Sequence, residues 1–137
     1  MDKLCFDPQD FRDQPPPPGF YPSAITTARY RRSAGGNPML QVVHAVDSVG
    51  PAYDRVAEYF VFEGVSAKAV AMARRRLLEL YRACGLEPKP GEEVRPDDLQ
   101  GAELEVKLEH EQWEGQVRLR VAAHRPRTAR GPNDTPF

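Results

Sequence analysis

Arginines and aromatic residues occur close together at several places in this 137-residue sequence. The planar guanidinium of arginine can bind a phosphate through two hydrogen bonds, and an exposed ring can stack on a nucleic-acid base for about 1–3 kcal/mol. These side chains are suited to binding an unpaired polynucleotide with little sequence preference. The candidate binding residues are Arg29, Tyr30, Arg31, Arg32, Arg55, Tyr59 and Trp113.

The histidines and cysteines do not follow a pattern typical of catalysis or metal binding. His44, His110 and His124 lie on predicted strands or at a strand end, with no nucleophile at a recognisable spacing. Cys5 and Cys84 are too few and too far apart for a redox pair or a four-ligand zinc site. No Walker loop, GxGxxG, HExxH or DxD pattern occurs. We therefore predict a protein that is not an enzyme and has no cofactor or metal. The alternative is a nuclease whose metal-binding carboxylates are dispersed along the chain.

Charge is unevenly distributed along the chain, although the formal net charge is only -1. Residues 14 to 86 carry nine basic and five acidic side chains, whereas residues 87 to 114 carry ten acidic and three basic ones. This distribution argues against non-specific coating of duplex DNA but permits a local basic groove opposite an acidic side. Fifteen of the nineteen basic residues are arginine, which suits phosphate binding. A genome rich in G and C would produce the same bias.

The first 18 residues are predicted to lie outside the folded domain. Four consecutive prolines from Pro15 to Pro18 exclude a helix or a central strand, because each lacks an amide donor and has a fixed φ. The segment is predicted to be disordered, and it serves either as a spacer or as a ligand for an aromatic groove. A domain then covers residues 19 to 124, and a flexible tail covers residues 125 to 137.

Alternating side chains predict strands at both ends of this domain. Three strands are expected at residues 20 to 32, 39 to 46 and about 55 to 62, separated by glycine- and proline-rich turns. Apolar residues at helical spacing then predict one helix that begins after Ser66 and ends at Gly85. Two further strands follow an acidic connection, at residues 104 to 110 and 117 to 123, joined by a hairpin at Glu114 and Gly115.

This order of elements predicts a mostly β protein with one helix between strands 3 and 4. The leading interpretation is the five-stranded Greek-key barrel of the oligonucleotide-binding, or OB, fold, which leaves few exposed sheet edges. In that fold, the ligand face is formed mainly by strands 2 and 3 and by the loops between strands 1 and 2 and between strands 4 and 5, where the candidate residues fall. An open antiparallel sheet with the helix on one face is the alternative.

Four short segments stand out: GFYPSAI at residues 19 to 25, GNPML at 36 to 40, ACGL at 83 to 86 and LQG at 99 to 101. Together they resemble a family of small bacteriophage and prophage proteins regarded as single-stranded-DNA-binding. The resemblance covers residues 19 to 124 and implies that the basic residues before the second segment contact nucleic acid, here Arg29, Arg31 and Arg32. Many members of that family have lysine and serine in this loop, where this chain has a tyrosine and three arginines.

The last five residues, NDTPF, are similar to the acidic tip of bacterial single-stranded-DNA-binding proteins. That tip ends in Pro-Phe and recruits replication and repair proteins, which implies a partner-binding role for Asp134, Pro136 and Phe137. The usual run of aspartates is reduced here to Asp134.

These observations predict a phage-type protein that binds single-stranded DNA during replication or recombination. The alternative is a protein–protein adaptor that recruits replication or repair enzymes through its tails. No apolar run approaches the ~20 residues of a membrane helix, and the first residues do not resemble a secretory signal, so we expect no membrane contact and a cytoplasmic location in the bacterial host. Assembly into a homo-oligomer is left open.

Overall fold

The computed structural model describes residues 14–127. It contains one α-helix and a short 3-10 helix, Pro96–Leu99, in addition to five strands. The elements, in chain order, are β1 (Gly19–Arg32), β2 (Pro38–Val46), β3 (Arg55–Val61), α1 (Ala67–Ala83), β4 (Glu103–Trp113) and β5 (Gln116–Arg125).

The strands form one antiparallel sheet in the order β3-β2-β1-β4-β5. The prediction of five antiparallel strands and one helix is confirmed. β1 connects the two halves of the sheet, because residues 19 to 24 pair with β4 and residues 23 to 32 pair with β2. The register with β2 shifts between Ile25 and Thr27. Such a bulge increases local twist and bends the strand, so that one strand can serve both halves.

The core lies on one side of this sheet, beneath α1. Phe60, Leu80 and Leu108 are fully buried there, and Leu99 of the 3-10 helix is buried beside them. α1 begins where the sequence predicts, because the Ser66 side chain accepts a hydrogen bond from the backbone N–H of Ala69 at 3.1 Å. The helix therefore covers the apolar side of the sheet and leaves the opposite side to solvent.

The two edge strands approach each other although no backbone ladder joins them. Neighbouring strands lie about 4.8 Å apart, so the edges of a flat five-stranded sheet would be separated by about 19 Å. Here Glu58 on β3 is hydrogen-bonded to His124 on β5, with 2.8 Å between Oε1 and Nε2. The sheet is thus open in its backbone pairing and is strongly curved.

Within residues 14–127, no helix has the length and apolar character needed to cross a membrane.

Candidate functional site

The outer surface of β1, β2 and β3 carries a row of aligned polar and aromatic side chains. Arg29 lies opposite Gln41, and Gln41 lies opposite Tyr59, across three neighbouring strands. Directly paired residues of antiparallel strands project to the same side of a sheet, and Arg31 and Arg55 share that side by alternation. We name these five residues the basic face.

Hydrogen bonds connect the basic face from strand to strand. Arg31 Nη1 donates to Gln41 Oε1 at 3.1 Å, and Gln41 Nε2 donates to the Tyr59 hydroxyl at 3.2 Å. The arginine and the tyrosine cover Gln41, which is buried, while Tyr59 itself is 45% exposed. The amide of Gln41 therefore holds the Arg31 guanidinium and the Tyr59 ring in place and leaves the charge of the guanidinium unneutralised.

No arginine of β1 forms an ion pair with a carboxylate among residues 14–127, although Arg29 lines a shallow pocket together with Glu93 and Asp97. None of the carboxylates in this range lies within 4.0 Å of the guanidinium of Arg29, Arg31 or Arg32. Arg55 has only the exposed carboxylate of the adjacent Asp54, at 4.0 Å. Exposed pairs of this kind contribute roughly 0–1 kcal/mol, so the positive charge of the basic face is largely available to an anion.

A groove of about 510 Å³ runs between the two edge strands. Arg55 and Tyr59 line it from β3, Arg118 and Arg120 line it from β5, and Arg76 lines it from α1. Because Arg55 and Tyr59 belong to both surfaces, the basic face continues directly into the groove.

Trp113 lies at the end of β4, beside the hairpin turn, and is 51% exposed. The guanidinium of Arg118 lies 4.8 Å from the centroid of its ring, within the range of a cation–π contact. Arg118 also lines the groove, so it connects Trp113 with the space beside Tyr59.

Tyr30 and Arg32 lie apart from the basic face, contrary to our expectation that all the candidate binding residues fall on one ligand face. Tyr30 is paired with the buried Leu40, so its side chain leaves the sheet on the side opposite to Tyr59. It is 64% exposed and lines a shallow pocket with the acidic Glu93 and Asp97 and the basic Arg29 and Arg95. Arg32 Nη1 donates to the carbonyl of Gly36 at 2.7 Å and so supports the β1–β2 turn.

Arg118 and Arg120 pair with different carboxylates from those we expected. The sequence suggests Glu103 and Glu105 as their partners, as an alternative to a place in the groove. In the structure, the Arg118–Glu111 and Arg120–Glu109 pairs each have an N–O distance of 2.7 Å. A two-residue turn at Glu114 and Gly115, both with positive φ, sets this register.

Glu58 is the functional residue that sequence reasoning missed. It lies two residues from both Val56 and Phe60, on the same core-facing side of β3, and its side chain is 3% exposed. His44 Nε2 lies 3.0 Å from Glu58 Oε1, and Arg76 Nη2 donates to Glu58 Oε2 at 2.8 Å. Burial by itself raises the pKa of Glu58, but hydrogen bonds and charge interactions with the two histidines outweigh it and lower the pKa to about 2.

His124 completes this group, which we name the His–Glu–His cluster: His44, Glu58 and His124. Its Nε2 faces Glu58, and its Nδ1 lies 2.7 Å from Glu79 Oε1 on α1. Burial tends to lower the pKa of His124, but the hydrogen bonds and charges of the two carboxylates raise it above its ordinary value. The strand pattern contained a signal for this cluster, because His44 and Glu58 are polar residues in the set of every second residue that faces the core.

The position of Arg76 also differs from what the sequence predicts. The run of arginines at residues 74 to 76 suggests a solvated helix face, and Arg74 and Arg75 are indeed exposed. Arg76 instead binds buried Glu58 and lies over the Phe60 ring, 4.7 Å from its centroid. Consecutive helical residues point in different directions, so only one member of the run reaches the sheet.

The proposed partner-binding residues Asp134, Pro136 and Phe137 lie outside the described residues, as does Cys5. No protein-family model matches the sequence, and a search of curated proteins finds no significant match.

Proposed function

We propose that the curved sheet is an OB barrel and that it presents the basic face to single-stranded DNA. The strand order supports the barrel, since β3 and β5 are the two strands that must meet to close it. The Glu58–His124 contact joins these strands at 2.8 Å. In the alternative from the sequence, an open antiparallel sheet with the helix on one face, the two outermost strands need not contact each other.

The function we propose is binding of single-stranded DNA, of the phage type, during replication or recombination. The observation that carries this proposal is the combination, on one sheet surface, of an exposed ring with guanidinium groups that have no carboxylate within 4.0 Å among residues 14–127, apart from the exposed Asp54 beside Arg55. Arg29, Arg31 and Arg55 provide the positive charge, and Tyr59 provides a stacking platform. A single strand needs both features, because phosphate contacts give affinity and stacking is tolerant of sequence.

The DNA path runs from the β1 arginines across the basic face and into the groove between β3 and β5. Trp113 lies beyond Arg118 at the far end of this path and can stack on a further base. Tyr30 projects to the other side of β1, away from this path, and the guanidinium of Arg32 is hydrogen-bonded within the β1–β2 turn. We therefore remove Tyr30 and Arg32 from the set of proposed contacts.

A titration with a labelled oligothymidine over a range of salt concentrations tests the proposal. Because each phosphate contact contributes about 0.7 to the salt slope on single strands, the double variant R29A/R31A should reduce the slope by about 1.4. The matched control is R74A/R75A, which removes the same charge from two exposed arginines of α1 that do not line the path and should leave the slope unchanged. Equal slopes in the wild type and R29A/R31A would contradict the proposed path.

The same titration separates this function from the adaptor role. An adaptor that acts through its tails predicts no salt-dependent binding of the oligothymidine by the wild type and no quenching of Trp113. A single-strand-binding protein predicts both effects, and weaker binding to the corresponding duplex.

A further inference from the structure

The His–Glu–His cluster has the donor set of a transition-metal site. The ligand atoms of its three residues all lie within 4.8 Å of one another, and all three side chains are buried. Both histidines direct Nε2 to the same oxygen, Glu58 Oε1, at 3.0 Å and 2.8 Å. Two ligands of a tetrahedral zinc ion, each about 2.1 Å from it, are separated by about 3.4 Å. The two N–O distances would lengthen by about 0.4–0.6 Å to admit an ion, and the two histidine nitrogens, which lie within 4.8 Å of each other, would approach by up to about 1.4 Å.

We propose that His44, Glu58 and His124 bind one divalent transition-metal ion of the zinc class. The ion would lie where the two Nε2 atoms and Glu58 Oε1 converge, in place of the protons that now join them. Imidazole nitrogen suits zinc and its neighbours in the first transition row, whereas magnesium and calcium prefer oxygen ligands only. This inference goes beyond the proposed function, because metal binding does not require DNA.

Neighbouring residues orient two of the three ligands, His124 and Glu58, as metal sites require. Glu79 Oε1 lies 2.7 Å from His124 Nδ1 and accepts the backbone N–H of His124 at 2.8 Å, which directs Nε2 inward. A carboxylate on the second nitrogen of a ligating histidine is a common feature of zinc sites. Arg76 holds Glu58 Oε2, which leaves Oε1 for the ion.

The groove supplies a route for the ion. Glu58 and Arg76 both line it, so the cluster lies directly beneath a surface that is open to solvent. Three protein ligands leave one tetrahedral position for water or another small ligand. The ligands come from β2, β3 and β5, so a bound ion would also join the two edges of the sheet.

The first test uses the full-length wild-type protein after treatment with a chelator. Addition of Co²⁺ should produce visible absorption bands that saturate at one ion per chain, and Zn²⁺ should abolish them by displacement. Mg²⁺ should have no effect on the bands. Failure of the wild type to produce Co²⁺ bands overturns the proposal, and this result does not depend on whether any variant folds.

Variants then assign the ion to the cluster. H44Q should remove the Co²⁺ bands, whereas H110Q, which changes a histidine outside the cluster, should retain them. E79A changes a half-exposed side chain and should weaken Co²⁺ binding by about 10–100-fold through the loss of the outer carboxylate. Bands that persist unchanged in both H44Q and E79A would place the ion elsewhere and overturn the proposal.

Discussion

The outer surfaces of the two halves of the sheet carry similar arginines in opposite surroundings. On β4 and β5, Arg118 and Arg120 lie directly across the ladder from glutamates and pair with them. On β1, Arg29 lies across from Gln41, and no described carboxylate pairs with it. The number of arginines is therefore a poor guide to a phosphate-binding surface. The residue across the strand decides whether each charge is available.

Glu58 joins the edge strands of the two halves, β3 and β5, through His124, and its loss should have the largest effect on stability. We expect E58A to lower the free energy of unfolding by about 3–5 kcal/mol, because Arg76 and His124 would lose a buried partner. Chemical denaturation measures the change. E111A, which removes an exposed pair, should lower it by less than about 1 kcal/mol. Equal small effects would show that the cluster does not support the barrel.

Acid should weaken the same contact between β3 and β5. The pKa of Glu58 is lowered to about 2 from an ordinary value of 4.5, so its contribution to stability is complete above pH 4.5 and is lost as the pH falls towards 2. Denaturation of the chelator-treated wild type between these pH values should show a decline. The decline should be smaller in E58Q, which has no group to protonate, and identical profiles would argue against this role of Glu58.

The two exposed tyrosines on opposite sides of β1, β2 and β3 offer the next comparison. Y59L should weaken binding of oligothymidine by about 1–3 kcal/mol through the loss of base stacking. Y30L makes the same chemical change on the side away from the proposed path and should have little effect. Fluorescence anisotropy measures both affinities. A larger loss in Y30L would move the path to the other side of the sheet.

A carboxylate placed on the basic face should make it resemble the surface of β4 and β5. Q41E would put an acid between Arg31 and Tyr59, and we expect it to weaken binding of oligothymidine by about tenfold, or ~1.4 kcal/mol. Q112E, at an exposed position on β4, is the matched control for net charge. A similar loss in both variants would indicate a general charge effect instead of local pairing.

The reverse change should free the arginines of β5 and has the smallest expected effect. The double variant E109Q/E111Q removes both partners of Arg118 and Arg120, which line the groove. We expect oligothymidine to bind about threefold more tightly, with a steeper dependence on salt. Unchanged affinity and slope would show that the strand does not reach β5.

Much of the fold could be predicted from the sequence because its signals are local. Alternation located the strands, Ser66 located the start of α1, and the Glu114–Gly115 turn located the last hairpin. That turn also contained the register of β4 and β5, since a two-residue loop places Trp113 opposite Gln116 and hence Glu111 opposite Arg118. Our expectation of other partners arose from matching charges without counting the register.

The candidate site was predictable only in part. Arg29, Arg31, Arg55 and Tyr59 lie on one surface as the strand pattern implies, but Tyr30 does not, because it lies between Arg29 and Arg31 and adjacent strand residues project to opposite sides. The bulge between Ile25 and Thr27 then decides which of the two sides faces the core, and alternation alone cannot locate that bulge.

By itself, the sequence determined which segments become strands and helix, and it determined the positions of arginines and rings along them. Only the tertiary structure decided which charges are neutralised and which residues of β3, β5 and α1 meet. Glu58 and His124 are 66 residues apart in the chain yet hydrogen-bonded. The curvature of the whole sheet brings them together, and no local pattern encodes that curvature.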